Sequence, residues 1–172
     1  VVPTGEEAGH TYGTPLSFVT LTEGQGSWEV QETVVIYSFT SESAQSEGTH
    51  SGDNGLTIQV DSSTFTGALE DPDADWVASV GVDPAASGLP LDDISGEVVA
   101  MWYLGPANGE TEDWAFSATG FSEGDTFRVY NAWYGGFQWV DLGTVTADSS
   151  GTVSSTSGNG IQHLSTLIFV QE

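Results

Sequence analysis

Apolar and polar residues alternate in short runs along this chain, and nowhere do they hold the 3.6-residue spacing of a long helix. The clearest case is residues 126–146, TFRVYNAWYGGFQWVDLGTVT, where two stretches rich in β-branched and aromatic side chains flank Gly135-Gly136. A Gly-Gly pair supplies the positive φ angles of a two-residue turn, so this stretch predicts a β-hairpin. Such a turn sets Tyr134 opposite Phe137, Trp133 opposite Gln138, Ala132 opposite Trp139, Asn131 opposite Val140 and Val129 opposite Leu142. Alternation then puts Phe127, Val129, Asn131, Trp133, Gln138, Val140 and Leu142 on one face. Arg128, Tyr130, Ala132, Tyr134, Phe137, Trp139 and Asp141 share the other. Both faces carry rings, which predicts that the second one meets another sheet, a ligand or a neighbouring molecule.

Along the chain, residues 1–15 hold two prolines and three glycines without periodicity and read as an extended arm. An arm of this kind hangs free, lies along its own sheet edge or adds to a neighbour's sheet, with the first two the default. Residues 16–22 (LSFVTLT) and 28–40 (WEVQETVVIYSFT) read as strands, the second running from a rim into a core. The polar stretch 41–55 reads as the longest surface loop, and 56–60, 65–69 and 76–82 as further strands. Asp83, Pro84 and Gly88 fit one short helical turn, with an acid at the N-cap, proline in the first turn and a terminating glycine. Residues 97–104 and 114–119 pair across a turn at 105–109, and 161–170 closes the chain as one apolar strand. The sum is an all-β fold, an antiparallel β-sandwich or jelly-roll of roughly eleven to thirteen strands with at most one short helical turn. It forms a single domain over 16–172 behind the arm 1–15.

Charge narrows the partners. Twenty-five acids face one base, Arg128, for a net charge of −24. Charged residues make up only 15 % of the chain, below the usual proportion of about a quarter, so the imbalance comes from missing bases. No Lys/Arg cluster exists to neutralise phosphates, which excludes nucleic acid and an anionic membrane surface as partners. No apolar run approaches the ~20 residues of a spanning helix. There is no cysteine. The chain opens Val1-Val2-Pro3 and its one methionine is Met101, so a processed, secreted form is expected.

Acids at alternate positions, Asp71, Asp73 and Asp75, have the spacing by which calcium loops direct oxygen ligands, although Trp76 stands where such loops carry glycine. Asp53-Asn54-Gly55 and Asp92-Asp93 are weaker candidates of the same kind. The only cofactor expectation is therefore calcium. His10, His50 and His163 lack zinc spacing and no glycine-rich phosphate loop is present, so no enzyme activity is expected. Trp133, Tyr134, Phe137 and Trp139, around the hairpin tip, are candidates for either an assembly surface or a platform that stacks on sugar rings. Arg128, the sole base, is expected to pair with a carboxylate.

In the second half, Gly120-Phe121-Ser122-Glu123-Gly124-Asp125-Thr126-Phe127, Trp139-Val140-Asp141-Leu142-Gly143-Thr144-Val145, Gly151-Thr152-Val153 and the close Ile161-Gln162-His163-Leu164-Ser165-Thr166 recur as landmarks. This half resembles β-sandwich segments of archaeal secreted cell-surface proteins, including methanogen sheath proteins. The resemblance implies an extracellular structural role and brings no catalytic residues. The expected function is a secreted protein that self-assembles through strand and arm contacts into a sheath, filament or surface layer, as a homo-oligomer or polymer. The alternative is a carbohydrate-binding module using the Trp/Tyr platform.

Overall fold

A computed structural model describes residues 11–12, 38–39, 47–66, 76–87, 89, 91, 94–106, 109–136 and 138–172. Thirteen strands are found among them. They are β1 (Thr11–Tyr12), β2 (Ser38–Phe39), β3 (Glu47–Ser51), β4 (Thr57–Asp61), β5 (Ala78–Gly81), β6 (Val98–Gly105) and β7 (Gly109–Trp114). Next come β8 (Phe116–Thr119), β9 (Thr126–Trp133), β10 (Gln138–Thr146), β11 (Thr152–Ser154), β12 (Ile161–Leu164) and β13 (Thr166–Gln171). A five-stranded sheet is ordered β10-β9-β13-β6-β5 and a four-stranded sheet β11-β8-β4-β3, with two-stranded pairs β12-β7 and β1-β2. Every pairing is antiparallel. The fold is the expected antiparallel β-sandwich.

The inner faces meet in one core. Trp102, Leu104, Phe127, Val129, Leu142, Leu167 and Phe169 of the five-stranded sheet pack with Ile58, Val60, Phe116, Ala118 and Val153 of the four-stranded one. Trp114, Ile161 and Leu164 bring the β7-β12 pair to the same core. Phe169 lies within 6 Å, centroid to centroid, of Trp102 (5.1 Å), Phe121 (5.8 Å), Phe116 (5.9 Å) and Phe127 (5.9 Å). The outer face of the five-stranded sheet is buried as well. Met101, Tyr103, Ala132, Tyr134, Ile168 and Val170 form a second cluster there, against which Trp76, Leu89, Leu91 and Ile94 pack. A strand covered on both faces needs apolar side chains at consecutive positions. That is why β6 and β13 read as nearly unbroken apolar runs.

The hairpin lies at one end of this sheet, and its centre is β13, the last strand of the chain. Its register matches expectation at Trp133–Gln138, Ala132–Trp139 and Asn131–Val140, then shifts, so that Val129 faces Gly143 and not Leu142. A β-bulge there, with Gly143 at φ 90°, inserts one residue and keeps both Leu142 and Val145 in the core. The turn also differs. Tyr134–Gly136 form a 3-10 turn in which neither glycine has positive φ. Glycine is needed at 136 for space, because a Cβ would stand 2.3 Å from the Trp133 ring.

Several other expectations change. Part of the expected loop 41–55 is strand β3, polar because it lies at a sheet edge with only His50 facing inward. The strand expected at 114–119 starts at Gly109 and breaks at Ala115, two residues after Asp113 at φ 56°, and its two parts pair with β12 and with β4 and β11, not with β6 as expected. The single strand expected at 161–170 is two, because the chain crosses from the β7 pair to the five-stranded sheet at Ser165. The helical turn after Asp83 is present at Pro84–Ala86, with the Asp83 carboxylate accepting from Ala85 N at 3.0 Å. Three further 3-10 turns, Asp53–Gly55, Ser62–Thr64 and Tyr134–Gly136, accompany it. The Asp61 side chain caps the Ser62–Thr64 turn, accepting from Ser63 N at 2.9 Å, and within Asp53–Gly55 the backbone of Asn54 takes φ 51°. The strand expected at 16–22, the strand expected at 28–40 apart from Ser38–Phe39, which is β2, and all of the arm but Thr11–Tyr12 lie outside the described residues.

Candidate functional site

Asp71, Asp73 and Asp75 lie outside the described residues, as do Asp92, Asp93 and Phe137. Asp53 and Asn54 are exposed, and the Asp53 carbonyl accepts from Trp102 Nε1 at 3.0 Å. The three described rings of the hairpin tip lie in two environments. Tyr134 and Trp139 belong to the second core, and the Tyr134 hydroxyl is hydrogen-bonded to Thr166 Oγ1. Trp133 stacks instead on His163 of β12, centroids 5.7 Å apart and planes 8° from parallel. At 38 % exposure it is, with Val99 at 39 %, one of two exposed large apolar side chains among the described residues. Burial holds the His163 imidazole below its ordinary pKa, opposed by the charge of Glu110.

Behind this stack sits Asn131, fully buried. Its amide donates to the carbonyls of His163 (3.1 Å) and Thr166 (3.2 Å) and to Ser165 Oγ (3.2 Å). Its oxygen accepts from the backbone N–H of Gln162 (3.1 Å) and His163 (2.9 Å). Ser165 Oγ in turn donates to the Ala132 carbonyl. The chain switches sheets here, so its backbone groups leave one ladder before joining the next. Asn131 satisfies them. Nothing in the alternation of β9 distinguishes this asparagine from an ordinary polar residue.

Arg128 pairs as expected. Its Nε donates to both Asp141 oxygens at 2.9 and 3.0 Å, a second guanidinium nitrogen contacts the same carboxylate, and Glu172 lies 3.9 Å away. Asp141 also accepts from Gly143 N at 2.8 Å, which fixes the bulge. Hydrogen bonding to Arg128 holds the Asp141 carboxyl below the usual range. These groups sit on β9 and β10, and Gln138, Asp141, Thr144 and Thr146 of β10 are exposed. Among the described residues β10, the longest strand, has a sheet neighbour on one side only.

At the opposite edges of the two sheets, His50 of β3 and Ser79 of β5 meet through Nε2 and Oγ at 3.1 Å. His50 is buried and its Nδ1 has no hydrogen-bond partner. Burial lowers its pKa from the ordinary 6.5, opposed by the charge of Asp53. Gly52 makes room for the contact, since a Cβ there would stand 1.7 Å from Ser79 Oγ. No His spacing in the sequence reveals this pair, because it joins strands from different sheets.

No helix among the described residues is long and apolar enough to cross a membrane. No family model, no curated protein and no solved structure matches this chain.

Proposed function

We propose that this chain is a secreted, non-catalytic structural protein whose copies associate through strand edges and arms into an extracellular sheath, filament or surface layer. One observation carries the reading. Phe127 packs into the main core and Tyr130, Tyr134 and Trp139 into or against the second, leaving Trp133 exposed, while the nine-residue strand β10 has exposed side chains and, among the described residues, a strand partner on one side only. Sheet faces therefore offer little to a neighbour, and unpaired N–H and C=O groups offer more. The resemblance of the second half to archaeal surface proteins points the same way. Sedimentation over a wide concentration range, with electron microscopy of the native envelope, tests it. Concentration-dependent association is expected, and a chain that stays monomeric at every concentration and salt level sinks the reading.

A second reading, carbohydrate binding, rests on Trp133, whose exposed indole lies flat on His163. One indole braced by an imidazole is a sugar-stacking element smaller than the platform of four rings. Tryptophan fluorescence titrated with soluble polysaccharides should change in the wild type and stay flat in Trp133→Ala. A response retained in that variant rejects the site.

A further inference from the structure

We infer that the β10 edge is the surface through which two copies of this chain first meet, each adding its β10 antiparallel to the other's to join the two five-stranded sheets. The inference rests on the assembly reading and names its contact. Three features coincide at this edge. Among the described residues, β10 is the longest strand and pairs on one side only. It carries neither lysine nor proline, two of the devices that blunt an edge, although its bulge at Leu142–Gly143 limits flat pairing to either side of the kink. Trp133, exposed and paired with Gln138, adds an apolar ring at the tip of the same hairpin.

Charge selects this edge over β3, and length selects it over β5 and β11, which carry no acid but run to only four and three residues. Each copy carries −24, so two copies repel wherever acids alone face each other. The chain's single base lies one strand in from β10, and its guanidinium pairs with Asp141, the one acid of that strand. Glu172 lies 3.9 Å from the same guanidinium and 3.4 Å from Thr144 Oγ1, so this edge carries two carboxylates against one base. The four-stranded sheet ends on β3, which begins with Glu47 and pairs there with Asp61, so that edge carries acids with no base. A twofold contact through β10 also closes on itself. It makes a dimer, and growth into a polymer uses a different surface.

The chain has no cysteine, so single substitutions report proximity cleanly. Gln138→Cys, Thr144→Cys and Thr146→Cys on β10 are compared with Thr49→Cys on β3, using a short bis-maleimide. Homodimer crosslinking is expected about tenfold faster or more through at least one β10 site than through Thr49. Sedimentation then compares Arg128→Gln and Asp141→Asn with the wild type. Arg128→Gln should raise the dimer Kd about tenfold at low salt and less at high salt, and Asp141→Asn should lower it. Because the ion pair is exposed, unchanged circular dichroism separates association from folding. Association that crosslinks through Thr49 and ignores both substitutions overturns the β10 contact and leaves the assembly reading standing. Absence of association in any variant or the wild type overturns both.

Discussion

His50 shows how a single residue ties stability to pH. Its imidazole is buried between two sheets, with Ser79 on one nitrogen and nothing on the other, so a proton added there enters a site without an acceptor. The folded-state pKa is depressed, and the unfolded chain therefore binds the proton first. Stability is full above pH 6.5, the ordinary value, and falls as pH drops below it toward the folded-state value. The slope is at most about 1.4 kcal/mol per pH unit for each histidine. His163 is depressed in the same direction, so denaturant titrations from pH 8 to 5 should be run on His163→Gln beside the wild type. The decline should persist in that variant. A flat profile would mean that His50 titrates normally. Asn131 makes the companion case: Asn131→Ala strips five hydrogen bonds from a buried crossover and should cost about 3 kcal/mol. Asn131→Asp should cost more, because three facing acceptors lose their donor and a charge is buried. An aspartate variant as stable as the wild type by urea unfolding would refute this account of the crossover.

At the scale of elements, β13 organises the molecule from the centre of the five-stranded sheet. Phe169 is fully buried and touches four aromatic rings from β6, β8, β9 and the 120–125 connection, so Phe169→Leu should destabilise by about 1–2 kcal/mol and Phe169→Ala by about 3–5 kcal/mol. Guanidinium unfolding of the leucine variant checks this even where the alanine variant fails to fold. What the sequence made legible follows from the same physics. Alternation exposed the hairpin and its two faces, because each face of β9 and β10 meets a different core. Continuous apolar runs exposed β6 and β13 as doubly covered strands. Edge strand β3 stayed hidden, since EGTHS contributes one inward side chain and its pairing comes from β4, not from its own composition. The bulge at Leu142–Gly143 stayed hidden too. Only the partner strand shows that one residue too many lies between Asp141 and Gly143. At the candidate sites, local spacing exposed the rings and Arg128, whereas His50–Ser79 and the Asn131 network depend on contacts spanning 29 to 35 positions.

Across the whole molecule the dominant quantity is the charge. With 25 acids and one base, carboxylates far outnumber the cations that could pair with them, and folding brings like charges closer than they are in the open chain. Screening therefore stabilises both the fold and any contact between copies, in contrast to a protein held by surface ion pairs, which salt weakens. Raising sodium chloride from about 0.01 M to about 1 M shortens the screening length from roughly 30 Å to roughly 3 Å, so the melting temperature should climb over that range and level off. Divalent cations at matched ionic strength separate general screening from a defined site. If Asp71, Asp73 and Asp75 hold calcium, calcium should stabilise more than magnesium, and the excess should vanish in Asp73→Asn. Coincident calcium and magnesium curves leave screening as the whole effect and remove that loop as a site. A melting temperature that falls with salt would instead show that Arg128–Asp141 and its neighbours outweigh the repulsion. That outcome would also remove the reason for placing the first contact between copies at β10.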